Sequence, residues 1–234
     1  MDHDSDPRTD SATEADSDPR TDSTTEADSD PRTTYDRIAS HFSKTREYPW
    51  PEIETFLDGA SADDALDVGC GNGRHTELLA DRATRAVGVD VSRGLLDEAR
   101  ARASARGFDA AFVQGDASAL PVRGGRFDLA LYVATLHHLR PRERRVRSLD
   151  ELARALGPAG RALVSVWSVD HERFDATEGF DTTVDWTLPS GETVPRYYHI
   201  YDAAEFAADL ESSALDVRES FVSSGNCFAV VRPD

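Results

Sequence analysis

The chain has 234 residues, enough for one ordinary domain with a full core, and it holds no run of about 18 apolar residues that could span a membrane. Its formal charge is −18, from 44 acidic and 26 basic residues; this does not exclude RNA as a partner, because a local basic patch decides that. Cys70 and Cys227 lie far apart and in no Cys-x-x-Cys pair, so neither a disulfide framework nor a cysteine metal site is expected, and both read as small buried hydrophobes. The opening Met-Asp-His-Asp-Ser-Asp has neither a basic nor an apolar signal region, which predicts a cytoplasmic protein.

Residues 5–16 read SDPRTDSATEAD, residues 17–28 read SDPRTDSTTEAD, and a third copy begins at Ser29 and stops. A repeat with almost no apolar residue cannot offset the entropy of ordering. Residues 1–34 are therefore expected to be a disordered acidic leader, and residues 35–234 the functional domain. From Tyr35 the pattern changes: Tyr35, Ile38, Ala39 and Phe42 recur at helical spacing, and Pro51 can open a second helix carrying Ile53, Phe56 and Leu57. Strands are predicted at ALDVG (65–69), AVGVD (86–90), AAFVQ (110–114), FDLALYVA (127–134) and RALVSVW (161–167), with helices near 74–82, 93–106 and 142–156. That alternation predicts a mostly parallel sheet flanked by helices. Asp202 and Glu205 form a capping box for a further helix. LDVRESFV and CFAVV around Ser223-Ser224-Gly225-Asn226 then predict an antiparallel C-terminal hairpin.

The run Asp67-Val68-Gly69-Cys70-Gly71-Asn72-Gly73 lies between the first strand and a helix. Its glycines let the backbone turn tightly and approach a ligand closely. Asp67 sets a carboxylate beside the loop, which suits a cation better than a pyrophosphate. Asp90, ending the second strand, can accept two ribose hydroxyls. Asp116, ending the third, can accept from an adenine amino group. Three carboxylates at successive strand ends are more than helix caps require.

These residues resemble the class I S-adenosylmethionine-dependent methyltransferases, over nearly the whole of residues 35–234. The resemblance implies a Rossmann-like α/β sheet and S-adenosylmethionine as cofactor. Gly69, Gly71 and Gly73 would line the methionine moiety with Asp67 nearby, Asp90 would hold the ribose, and Asp116 with Ala117 would read adenine. The stretch from Tyr35 to Arg46, Pro49-Trp50-Pro51, Leu136-His137-His138-Leu139 followed by Arg144-Arg145-Val146-Arg147, Val166-Trp167, and Arg196-Tyr197-Tyr198-His199 narrow it further. Together they are similar to the tRNA methyltransferases that esterify 5-carboxymethyluridine at the wobble position, a family that also implies a small zinc-binding activator subunit.

A carboxylate is ionised at neutral pH, so its methylation needs no strong general base; it needs donors that hold the anion in line and strip its water. Arg46, His137, Arg196, Tyr197 and His199 are expected to surround it, with His137 rather than His138 facing the site. Arg140, Arg142, Arg144, Arg145 and Arg147 form the chain's basic cluster, readable as a phosphate-contacting edge or as a solvated helix face with internal pairs. The third strand is expected at the sheet's open edge, where the activator would dock. Two rival readings stay open: methylation of a small metabolite such as a quinone precursor or free carboxylic acid, and a cofactor-binding interaction protein without turnover. Lys44 is the sole lysine, and the Arg-, Asp-, Ala- and Thr-rich composition is similar to that of halophilic archaeal proteins, whose acid–acid repulsion is screened once the Debye length falls to about 3 Å.

Overall fold

The computed structural model describes residues 30–234; the repeats of residues 1–29 lie outside the described residues. Asp30 caps helix α1 (Pro31–Lys44), its carboxylate accepting the Arg32 N–H at 3.2 Å. Pro31 suits the first turn because a helix leaves that N–H unbonded anyway. The helix thus starts ahead of Tyr35, and Thr34, assigned from sequence to the leader, is buried.

The chain continues through α2 (Pro51–Leu57), β1 (Ala62–Val68), α3 (Arg74–Ala80), β2 (Ala83–Asp90), α4 (Arg93–Arg106), β3 (Ala111–Gln114) and β4 (Phe127–Val133). A 3-10 turn (Leu136–His138) leads to α5 (Arg142–Ala155), β5 (Leu156–Trp167), β6 (Phe180–Thr187), β7 (Thr193–Ile200), α6 (Ala203–Glu211), β8 (Leu215–Ser223) and β9 (Asn226–Pro233). Seven strands form one sheet in the order β3-β2-β1-β4-β5-β9-β8, all running the same way except β9, which is antiparallel to both of its neighbours, β5 and β8. The C-terminal hairpin turns through Ser224 (φ 50°) and Gly225 (φ 71°), the left-handed pair that matches strand twist in a two-residue turn.

Period-two alternation of the central strands builds the core. Ala65, Leu129, Leu131 and Val133 pack with Ile53, Phe56, Leu57 and Leu79 from α2 and α3 on one face. Leu66, Val68, Ala130 and Tyr132 face the other way, against Leu149 and Leu152 of α5 and Phe206 and Leu210 of α6. As expected, β3 is an outer strand, and both cysteines are buried and free. Among the described residues no helix is long and apolar enough to cross a membrane.

Two features depart from the sequence reading. Helix α5 stops at Ala155, and Leu156 already pairs with Phe127 as the start of β5, before the chain bulges through residues 157–160. The acidic segment after Trp167, for which no element is predicted, forms with the Arg196 element a separate hairpin, β6 antiparallel to β7. Its apolar face seats Val194 and Trp186 against Ile38, Tyr35 and Phe42 of α1.

Helix α1 also reaches the first turn of α4. Asp36 accepts the Ser92 hydroxyl at 2.7 Å and the Gly94 N–H at 2.9 Å, reinforcing the Ser92 cap. Asp36→Ala leaves those donors without their charged acceptor and is expected to lower stability by about 1–2 kcal/mol. Denaturant titration of the full chain checks this; an unchanged midpoint would show that water replaces the carboxylate at no cost.

Candidate active site

Three glycines with positive φ shape the loop between β1 and α3: Gly69 (70°), Gly71 (54°) and Gly73 (78°). At Gly69 a Cβ would fall 2.1 Å from the Thr135 hydroxyl, so the loop and the segment after β4 meet there backbone to side chain. At Gly71 a Cβ would meet nothing within 4 Å: this glycine borders open space. Asn72, buried behind the loop, donates to the Arg46 carbonyl at 2.9 Å and the Ser43 carbonyl at 3.3 Å. The end of α1 is thereby tied to the glycine loop.

Two buried carboxylates lie beneath it. Asp67 accepts the Thr76 hydroxyl at 2.6 Å, and burial, with Asp90 nearby, pushes its pKa up to about 7. Asp90 accepts the Gly71 N–H through Oδ2 and the Ser92 N–H through Oδ1, both at 2.8 Å. Burial again dominates and raises its pKa to about 6 despite those bonds. Both carboxylates are thus short of donors or of a cation. Asp116, at the end of β3, is better served: Oδ1 accepts the Ser118 N–H (2.8 Å) and hydroxyl (2.7 Å), and Oδ2 accepts from Arg144 at 2.6 Å. Partial burial works to raise its pKa, but the Ser118 and Arg144 donors outweigh it and hold the carboxyl below its usual range.

A small pocket is lined by Pro31, Thr34, Tyr35, His138, Arg196 and Tyr197. Arg196 is buried at 2% exposure, lies over the Trp186 and Tyr198 rings at 4.8 and 5.2 Å, and donates to the Tyr198 hydroxyl at 2.7 Å. His138 places Nδ1 2.9 Å from the Tyr197 carbonyl and Nε2 2.8 Å from the Tyr35 hydroxyl. A carbonyl only accepts, so Nδ1 carries the proton and Tyr35 donates to Nε2. Burial lowers the pKa of His138 to about 4, and the ring is neutral. His137, in turn, is 3% exposed and spends Nδ1 accepting the Trp167 N–H at 3.0 Å.

The five residues expected around one carboxylate therefore separate. Arg46 and Arg196 both lie over the Trp186 ring, Arg46 at 5.7 Å, and His137 packs on Tyr198. Tyr197 lines the pocket with Arg196, but along β7 the side chains of Tyr197 and His199 alternate with those of Arg196 and Tyr198 and take the hairpin's other face. There the Tyr197 hydroxyl donates to Asp181 at 2.8 Å, and His199 lies between Asp181 (2.7 Å) and Glu205 (2.8 Å). It is His138, not His137, that lines the pocket. Tyr35, which lines the pocket, and Tyr198 and Trp186, which pack on Arg196, were given no place in the site by sequence reasoning; Tyr198 and Trp186 share the alternation phase of Arg196 across the hairpin.

The Arg cluster is divided too. Arg142 pairs with Asp209 (2.6 Å), Arg144 with Asp116, and the buried Arg145 with Asp209 (3.4 Å) and Glu205 (3.3 Å). Burial and these pairs contradict an RNA-contacting role for Arg145. Arg140 lies over the Tyr197 ring at 4.8 Å, and Arg147 is exposed.

Comparison with known proteins follows this geometry. Residues 65–160 match the family described as a methyltransferase domain. A protein of Encephalitozoon cuniculi whose name assigns it only to the methyltransferases is 34% identical over 205 residues, covering 84% of this chain and 92% of its own length. The tRNA (carboxymethyluridine(34)-5-O)-methyltransferase of Mus musculus is 43% identical over 139 residues, covering 59% of this chain. The match spans only 20% of that relative's length. Among solved structures, a Burkholderia thailandensis didemethyltoxoflavin N1-methyltransferase with bound S-adenosylhomocysteine superposes with a TM-score of 0.65 at 23% identity, covering 86% of each chain. The glycine loop and its buried carboxylates sit on a fold and a sequence that these proteins share, and the chain belongs to the S-adenosylmethionine-dependent methyltransferases, with S-adenosylmethionine as its cofactor.

Proposed function

We propose that the enzyme esterifies the carboxylate of 5-carboxymethyluridine at the wobble position of tRNA. The observation that carries this reading is the buried Arg196, which donates to the Tyr198 hydroxyl and lines a small pocket with Tyr35 and neutral His138. A permanent cation among phenols and aromatic rings is suited to a desolvated anion. The Mus musculus relative acts, by its name, on the same group.

The chain's own residues fit the cofactor. The open side of Gly71 accepts a ligand against backbone, Asp90 keeps lone pairs for two hydroxyl donors, and the raised pKa of Asp67 marks a carboxylate that a nearby cation would stabilise. The cofactor supplies a methyl group on a positively charged sulfur. Gly69, Gly71 and Gly73 would line its methionine end, Asp90 would hold the ribose, and Asp116 with Ala117 would read adenine. Arg196 and Tyr35 would then orient the substrate carboxylate, with Arg46 closing the Trp186 side. His138 acts as a positioning residue, because it fixes Tyr35 and the Tyr197 backbone. Arg140, over the Tyr197 ring, and the exposed Arg147 would meet phosphates. The exposed edge at β3 is the seat we assign to a small zinc-binding activator; full activity of the isolated chain as a monomer in high salt removes that partner from the reading.

Asp90 must be ionised to accept ribose hydroxyls, and its raised pKa places the proton competition near pH 6. Cofactor affinity is therefore expected to be constant above about pH 7 and to fall towards tenfold per pH unit below about pH 6, with proton release on binding. Calorimetry in buffers of different ionisation enthalpy measures both, and a flat profile from pH 5 to 8 would rule out the carboxylate. The same pKa shifts lie above the ordinary value near 3.8, so their contribution to stability is full below about pH 4 and is lost as pH rises through 6 to 7. The unliganded enzyme pays for its site at neutral pH.

Arg196→Ala is expected to lower single-turnover methyl transfer to tRNA by about 100-fold while cofactor affinity stays within twofold. A thermal melt and the milder Arg196→Lys control for loss of fold. Mass spectrometry of wobble nucleosides from cells lacking the protein tests the substrate directly. Methyl ester persisting there, together with turnover on a metabolite extract and none on tRNA, would return the small-metabolite reading.

A further inference from the structure

The sequence offers Arg144 as a phosphate contact, yet the structure gives its guanidinium another partner, and we infer that Arg144 holds Asp116 in the posture that makes this carboxylate a reader of the 6-amino group of adenine. The inference rests on the assignment of Asp116 to the adenine end of the cofactor site. A carboxylate offers about four lone-pair positions. The Ser118 N–H and hydroxyl occupy Oδ1, and Arg144 occupies one position on Oδ2, at 2.6 Å. One position on Oδ2 remains.

The two side chains are 43% and 42% exposed, so that remaining position is within reach of a ligand rather than sealed in the core. The carboxylate is also fixed as an anion, since its donors hold the pKa down. An anion with a single open acceptor position takes one N–H. A purine carrying oxygen at position 6 presents lone pairs to the same anion and is repelled. Arg144 does not touch the base in this scheme; it sets the rotation of the group that does. Without it, Oδ2 is free to turn to water and the remaining acceptor position loses its direction. The arrangement also joins two sites. Arg144 stands in the first turn of α5, and the preceding 3-10 turn supplies His138 to the pocket, so a short stretch of chain fixes both the adenine reader and the substrate side.

The test is calorimetric binding of S-adenosylhomocysteine and of S-inosylhomocysteine, its 6-oxo counterpart, to the full chain. The wild type is expected to prefer the adenosyl ligand by about 10-fold or more. Arg144→Ala should shrink that ratio at least fivefold, chiefly by weakening the adenosyl ligand, and Arg144→Lys should restore most of it. A general loss of structure would weaken both ligands alike and leave the ratio, which overturns the inference. An unchanged ratio, or a wild type without preference, overturns it as well. Asp116→Asn separates the two layers. If it collapses the ratio while Arg144→Ala does not, Arg144 alone is misassigned. If Asp116→Asn also keeps the ratio, the adenine end lies elsewhere.

Discussion

The hydrogen bond from the Gly71 N–H to Asp90 Oδ2 fixes where everything else in the site can be. It joins the glycine loop after β1 to the end of β2, and it requires Gly71 at positive φ with its open side turned away from the protein. Once the loop is held there, Asn72 reaches the carbonyls of Ser43 and Arg46, and α1 is drawn over the loop. On the other side Gly69 admits Thr135, which brings the 3-10 turn and its histidines alongside. The cost is a pair of buried carboxylates, Asp67 and Asp90, that burial disfavours as anions. A protein keeps such groups where a ligand brings the missing donors and charge.

The Arg196 pocket depends on a different device, the β6–β7 hairpin. Its two faces do separate jobs. The face of Trp186, Arg196 and Tyr198 closes against α1 and the 3-10 turn, and Arg196 lines the pocket there. The face of Asp181, Tyr197 and His199 is fastened to the body of the domain through Glu205 of α6, which Arg145 of α5 also holds. Arg37 of α1 pairs with Glu192 in the hairpin turn. Charge therefore locks the outside of the hairpin, while aromatic packing shapes the inside. A buried guanidinium over two rings is tolerable because the rings offer their negative faces and the Tyr198 hydroxyl accepts one of its donors.

How far this could be read from sequence follows from the kind of signal each part carries. The parallel strands announce themselves because both faces are buried, giving short apolar runs such as ALDV and LALYV. The glycine loop and the strand-end carboxylates are local in sequence and were legible together. The β6–β7 hairpin was not. Phe180, Val184 and Trp186 do alternate with Asp181, Thr183 and Asp185, around a Leu188-Pro189-Ser190-Gly191 turn, but the acidic composition and Pro195 obscure the period. Missing that hairpin hides the strand phase of Arg196, Tyr197, Tyr198 and His199, and four adjacent residues then read as one site instead of two faces. His137 and His138 are hard to tell apart in sequence for a related reason. In a 3-10 turn neither apolar spacing nor charge says which ring faces a main-chain N–H and which faces a cavity.

The Arg cluster shows why local charge misleads in an acidic chain. With 44 acidic residues against 26 basic ones, each arginine lies among many carboxylates, and a guanidinium fork that satisfies a carboxylate in two places is a structural fastener before it is a phosphate ligand. Arg142, Arg144 and Arg145 are all fastened, to acids on α6 or at the end of β3. If two or three cations such as Arg140, Arg147 and Lys44 meet the RNA backbone, the logarithmic salt slope of tRNA binding would be only about −2 to −3. Affinity would then come from the pocket's hold on one base and its carboxylate, and from stacking, more than from the phosphates. Under the proposed function, that division would let a strongly negative protein engage a polyanion: long-range repulsion is screened by salt, few phosphate contacts would lose little to the same salt, and short-range contacts inside the pocket would be shielded from it.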